Sequence, residues 1–158
     1  LFFARSWIRS ADATAKPRHP KSNSRSDVNA PRQCELLFRV RYAETDPMGV
    51  LHHSRHFVYF EMGRTELLRL AGFRYRDLEE RGVLFVVAKA ACQYKAAARY
   101  DDEIRLVTKI DRVTRSRIDH SYEMFRVCDG RLICTAQTTL ACVDRSGNIV
   151  EIPQEIQV

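Results

Sequence analysis

Asp46 is the residue best placed to do chemistry. It lies between Thr45 and Pro47 in the stretch ETDPMG, ahead of His52, His53 and His56. Pro47 fixes one backbone angle and Gly49 admits a conformation that other residues resist, so the carboxylate projects from a tight turn toward the start of a helix. Helix N-termini carry unpaired N–H groups and a positive dipole end, which polarise a carbonyl oxygen. A carboxylate beside such donors can activate water, or attack directly, at an ester or thioester carbonyl. Asp is also among the commonest turn residues, and on residue type alone a merely turn-stabilising role is the more frequent one. His53 is of interest because it falls where the first free helical N–H groups are expected.

The other candidates are weaker. His52 and His56 stand four apart and could share a helical face as metal ligands, but a third ligand with suitable spacing is lacking and there is no HExxH pattern, so no metal site is expected. A histidine lining a cleft, or satisfied at the helix start, fits the residues better. Glu61 interrupts an apolar run and needs a partner or a cavity; Arg64, three residues on, is the expected partner. The stretch RVTRSR places Arg112, Arg115 and Arg117 near a strand end. Such a run is commonly a solvated face, although arginine is also the side chain best suited to grip phosphates.

These residues depend on elements that can be read from the pattern. Residues 36–42 alternate, with Phe38, Val40 and Tyr42 on one face, which predicts a half-buried strand. Ser54 offers an N-cap for a helix over 55–71 that stops at Gly72. Its first turns, HFVYFEMG, are apolar nearly all round, as in a helix wrapped by its fold. YRDLEERG predicts a short second helix ending at Gly82. Strands are then predicted over 83–97, 103–114, 118–127 and 132–143, with turns at CDG and DRSGN. Consecutive long strands imply an antiparallel sheet, so the class is α+β with one main helix packed on the sheet.

Composition bounds the rest. With 158 residues, 45% of them hydrophobic, the chain has room for a single globular domain with a sizeable core. The net charge of +6 comes largely from residues 1–33, which hold seven Lys/Arg against two Asp; the remainder holds nineteen Lys/Arg against eighteen Asp/Glu. The domain itself is almost neutral, which argues against a specific nucleic-acid face on it. Residues 1–33 are rich in Arg, Ser and Pro and are expected to be a disordered basic leader; an organelle transit peptide is an alternative, and the opening Leu1 also allows an over-extended reading frame or a fragment. Cys34, Cys92, Cys128, Cys134 and Cys142 contain no CxxC pair and read as free thiols in a reducing compartment, which with the absence of a membrane-spanning run of roughly 20 apolar residues points to a cytoplasmic protein, or an organellar one if the leader targets it.

The run YAETDPMGVLHHSRHFVYFEMGRTELLR, continued by YKAAARYDDEI, resembles the hotdog-fold acyl-CoA thioesterases, in particular the family of 4-hydroxybenzoyl-CoA thioesterase and the Tol-Pal-associated thioesterases. The resemblance covers residues 34–158 and rests on Tyr42, Thr45, Asp46, Gly49, Val50, His53, Glu61, Arg64, Thr65 and Glu66. It implies a long central helix wrapped by a curved antiparallel sheet of about five strands. Homodimers or homotetramers are implied too, with two sheets joined edge to edge and active sites at the interface. For the site it implies Asp46 as general base or nucleophile and the backbone N–H of His53 as the donor to the thioester oxygen. Tyr42 matches a pocket position, and Arg115, with Arg117 more loosely, falls where relatives hold the coenzyme A phosphates. No cofactor is implied, coenzyme A being part of the substrate. His52, Met48 and His56 depart from the family pattern, His56 standing where an aromatic is usual, and these departures bear on the acyl group. The same architecture also hosts hydratases or dehydratases, marked by water addition to an enoyl-CoA without thiol release. A non-catalytic acyl-CoA-binding module would show binding without turnover.

Overall fold

The alternation near the start of the chain does make a strand, and its partner lies some seventy residues further on. The computed structural model describes residues 30–156. Strand β1 (Gln33–Arg39) pairs antiparallel with β3 (Glu103–Val113), from Gln33 opposite Lys109 to Arg39 opposite Glu103. Cys34, Leu36 and Phe38 point toward the core, while Glu35, Leu37 and Arg39 are exposed. The strand ends at Arg39, and Val40 is the last residue held on that side, exchanging backbone bonds with Asp102 C=O and Asp101 N–H at 3.0 Å each. Residues 42–44 then form a single 3₁₀ turn, and Tyr42, expected on the inner face, is 78% exposed. The leader expected over residues 1–33 lies outside the described residues up to residue 29; at its end, Arg32 C=O already accepts from Ile110 N–H and Gln33 already belongs to the sheet.

Helix α1 (Arg55–Leu70) follows, then the short α2 (Tyr75–Glu80). Helix α1 stops where expected: Gly72 takes φ +90° and its N–H donates to Arg69 C=O. The start differs from expectation. Ser54 is itself in helical geometry and makes no side-chain cap; its hydroxyl lies 2.8 Å from His52 Nδ1 instead. A neighbouring imidazole has outcompeted the helix for that hydroxyl.

Strands β2 (Leu84–Tyr94), β4 (Arg117–Arg126) and β5 (Leu132–Val143) complete a five-stranded antiparallel sheet in the order β1-β3-β4-β5-β2. Strand β2 is shorter than predicted, ending at Tyr94, because Lys95 and Ala96 N–H both turn to Ile133 C=O. It is an edge strand, and Val86 and Val87 beside its bulge are 45% and 51% exposed. All five cysteines are free; Cys128, in the β4–β5 turn, is the exposed one. No helix among the described residues is long and apolar enough to cross a membrane.

The buried residues of α1 are His56, Tyr59, Phe60, Gly63 and Leu67, a stripe at helical spacing that lies on the sheet. Phe60 stacks on Tyr122 with ring centroids 4.7 Å apart, and Phe38 stacks on Tyr59 at 4.0 Å. The opposite face stays open in the single chain: Phe57, Val58 and Met62 are 36–42% exposed. Closest approach is at Gly63, where an added Cβ would collide with Thr108 Oγ1 and meet Leu106 Cδ2 at 3.0 Å. Gly63→Ala is expected to lower stability by about 1–3 kcal/mol through overpacking, read as a shifted urea midpoint with an unchanged slope.

His120 is buried on β4 with no hydrogen-bond partner for Nδ1, and burial pulls its imidazole down to about 4 from an ordinary 6.5. The folded-state value lies below the unfolded one, so its neutral form stabilises the fold fully above pH 6.5, and that stability drains as the pH falls toward 4. Urea unfolding across this window should show wild type losing up to about 3 kcal/mol that His120→Phe does not lose.

Candidate active site

Asp46 opens a turn closed by backbone bonds in both directions. Its N–H donates to Val50 C=O at 2.9 Å, and its C=O accepts from Gly49 N–H at 2.8 Å, with Gly49 at φ +72°. The carboxylate is tied at one oxygen: Oδ1 accepts from Met48 N–H at 2.9 Å and Val50 N–H at 3.4 Å. Oδ2 has no partner among the described residues. The turn is docked to the sheet end by Leu51 N–H to Ala98 C=O, 2.8 Å, and by the bridge between Val50 and Arg99.

Across from it the chain enters α1. His52 N–H donates to Glu44 C=O at 2.9 Å and Arg55 N–H to His52 C=O at 2.9 Å, whereas the N–H of His53 has no acceptor among the described residues. His53 is fixed from its other side: its C=O accepts from Tyr94 O–H at 3.0 Å and from His56 Nδ1 at 3.2 Å. Burial lowers the His56 pKa from its ordinary value, so the ring is neutral near pH 7. Burial also raises the Tyr94 phenol to about 12, so it serves as a donor. Asp46, His53, His56 and Tyr94 line one cleft of about 400 Å³, completed by Met48, Val50 and Ala96–Ala98.

The piece that holds the two halves together was not picked out from the sequence. Glu44 is 4% exposed, and its carboxylate accepts from Arg41 N–H at 2.9 Å, from Arg41 Nε and Nη2 at 3.1 and 2.6 Å, and from Tyr59 O–H. Burial works against the charge, yet the bonds from Arg41 and Tyr59 outweigh it and hold Glu44 below the usual carboxylate range. Tyr59 belongs to α1 and Glu44 to the turn that leads to Asp46, so this contact clamps the turn to the helix. The i,i+3 spacing of Arg41 and Glu44 was a usable signal; the Tyr59 contact, and the reach of Tyr94 from β2 to His53, left none. Tyr59→Phe should cost about 1–3 kcal/mol in urea unfolding, since it leaves a buried carboxylate short of a donor.

The structure thus brings Asp46 and His53 together and places the remaining candidates elsewhere. Tyr42 packs edge-on against Tyr100, centroids 5.5 Å apart, outside the cleft. Arg115 is exposed and pairs with Glu151, and Arg117 opens β4 with its N–H on Thr114 Oγ1 at 3.1 Å. Both lie beyond Val113, whereas the cleft adjoins the stretch before Glu103, so about 33 Å of strand separates them within one chain. Glu61 does pair with Arg64, at 3.5 Å, but faces solvent. The His52 and His53 rings lie 4.1 Å apart between centroids, but no group of three or more His, Cys, Asp or Glu placed to hold a metal occurs among the described residues.

Residues 40–158 match the thioesterase-like superfamily, a span that includes the whole cleft. The chain belongs to the thioesterase-like superfamily. It is an enzyme, a thioester hydrolase of the hotdog fold. It is 34% identical over 121 residues to the acyl-CoA thioesterase YbgC of Haemophilus influenzae, covering 75% of this chain and 88% of that one. Among solved structures, DHNA-CoA thioesterase from Staphylococcus aureus superposes with a TM-score of 0.73 at 29% identity, covering 75% of this chain and 80% of that one. A 4-hydroxybenzoyl CoA thioesterase shares the fold, with a TM-score of 0.73 at 17% identity over 80% of this chain and 96% of that one. His56 is buried at the cleft beside the helix start.

Proposed function

We propose that this chain hydrolyses an acyl-CoA thioester to the free acid and coenzyme A, with Asp46 and the His53 N–H as its working groups. One observation carries the reading. Among the described residues, a carboxylate oxygen without a partner, Asp46 Oδ2, and an amide N–H without an acceptor, that of His53, line a single cleft. The amide stabilises the oxyanion that forms as the thioester carbonyl is attacked. Asp46 Oδ2 either takes a proton from the attacking water or attacks the carbonyl itself. Either route ends with the C–S bond broken, the hydroxyl of water on the acid and the proton on the thiol. Carboxylate, amide and water supply every element of that reaction, so no cofactor is required beyond the coenzyme A of the substrate.

Two copies pairing through the open β2 edge fit the exposure of Val86 and Val87. Such pairing would allow Arg115 and Arg117 of a second copy to approach phosphates that the same chain's cleft cannot offer them; the family resemblance itself implies sheets joined edge to edge with active sites at the interface.

Asp46→Asn separates the charge from the turn, because an amide oxygen still accepts from Met48 and Val50 N–H. We expect thiol release from a panel of short-chain, long-chain and aromatic acyl-CoAs to fall about 10²–10⁴-fold while the urea midpoint stays close to wild type. Full activity in that variant would remove Asp46 from the mechanism.

A further inference from the structure

His56 is 3% exposed, yet it lines the cleft beside Asp46, His53 and Tyr94. The His52 and His53 carbonyls are the backbone partners of its ring, Nδ1 lying 3.2 Å from His53 C=O, and a carbonyl can only accept, so Nδ1 carries the ring proton. That leaves Nε2 as a bare acceptor. It has no hydrogen-bond partner among the described residues, and it is not among their fully enclosed unpartnered side-chain atoms, which are Thr108 Oγ1 and His120 Nδ1. Nε2 therefore keeps contact with open space, and the open space it borders beside the proposed oxyanion donor is the cleft. The ring itself is held: Tyr94 packs edge-on against it, centroids 4.9 Å apart, and the bond to His53 fixes its rotation.

A buried acceptor left facing a substrate cleft costs free energy unless the substrate brings a donor. We infer that His56 Nε2 is a specificity group that accepts a hydrogen bond from a hydroxyl on the acyl chain, making 3-hydroxyacyl thioesters the preferred substrate class. The inference rests on the thioesterase reading of the cleft. The position of the hydroxyl follows from spacing. His53 and His56 are three residues apart at a helix start, where side-chain origins stand roughly 5–6 Å apart. An acyl oxygen held at His53 N–H thus leaves His56 within reach of a substituent about two carbons along the chain, and out of register with one at a distant chain end. A single acceptor on a locked ring also meets only one configuration at that carbon, so the two enantiomers of the hydroxyl should differ. An unsubstituted acyl chain instead buries Nε2 without a donor, the situation in which sites that hydrogen-bond their substrate reject analogues lacking the group.

The test compares kcat/KM for butyryl-CoA with that for each enantiomer of 3-hydroxybutyryl-CoA, using the full chain. Wild type should favour one hydroxylated enantiomer over butyryl-CoA by about 10–100-fold, the range for leaving one buried polar group unpaired. In His56→Phe both rates should fall, because His53 loses a support, but the preference should collapse to about one. His56→Gln, whose amide oxygen can occupy the Nε2 position as an acceptor, should recover part of the preference. A wild-type ratio near one overturns the inference while leaving hydrolysis intact, as does a His56→Phe variant that loses activity on all three substrates by the same factor. Failure of wild type to release thiol from any acyl-CoA is a different result, and it removes the thioesterase reading together with this one.

Discussion

The buried carboxylate of Glu44 is the contact on which the site depends. Helix and sheet are brought together by apolar packing, which is non-directional and sets no angle between Asp46 and the first turn of α1. The Glu44 carboxylate adds the direction. It gathers Arg41 N–H, the Arg41 guanidinium and Tyr59 O–H at one point, while the carbonyl of the same residue receives His52 N–H. Turn, strand end and helix start are thereby fixed against one another by polar bonds that meet on a buried carboxylate, although the Arg41 side chain that donates two of them is itself largely exposed.

The apolar framework behind this clamp divides into two clusters that meet along α1. The first, around Phe60, Tyr122, Leu106 and Met124, lies beneath the cleft end of the helix; the second, around Leu78, Ile118, Leu140 and Ile152, lies beneath the other end together with α2 and the C-terminal segment. Helix and sheet come nearest at Gly63 opposite Thr108. The cleft therefore sits over close-packed aromatic rings, which is the kind of support that keeps a catalytic geometry within a few tenths of an ångström.

Legibility from sequence followed the range of the interactions. The Asp46 turn, the stop of α1 at Gly72 and the succession of strands along the chain are local matters, set by Pro47, by glycine at positive φ and by alternation, and they could be read directly. The free N–H at His53 was readable for the same reason, since any helix start leaves such donors. Ser54 misled because a cap is a competition, and His52 two residues back was the better partner for its hydroxyl. The end of β1 was overestimated since a strand continues only as far as its neighbour, and the last partners, Asp101 and Asp102 bonded to Val40, lie far along the chain. Tyr94 was invisible as a site residue because its bond to His53 spans 41 positions and is created by the fold alone. Glu61 reads as an awkward charge within an apolar run and turns out to face solvent, which only the packing of α1 decides.

Strand β2 has two faces to its role. Its outer edge is the open margin of the sheet near Val86 and Val87, and its far end carries Tyr94, whose hydroxyl steadies His53 in the cleft. A partner pairing with that margin would also restrain the strand that holds the proposed oxyanion donor, linking docking at the edge to occupancy of the cleft. The linkage is reciprocal: a ligand that gains from a steadier His53 strengthens pairing along β2 by the same factor. Were two copies to pair there, the midpoint of that association on dilution would shift with ligand concentration, giving the edge of the sheet a voice in the chemistry at its corner.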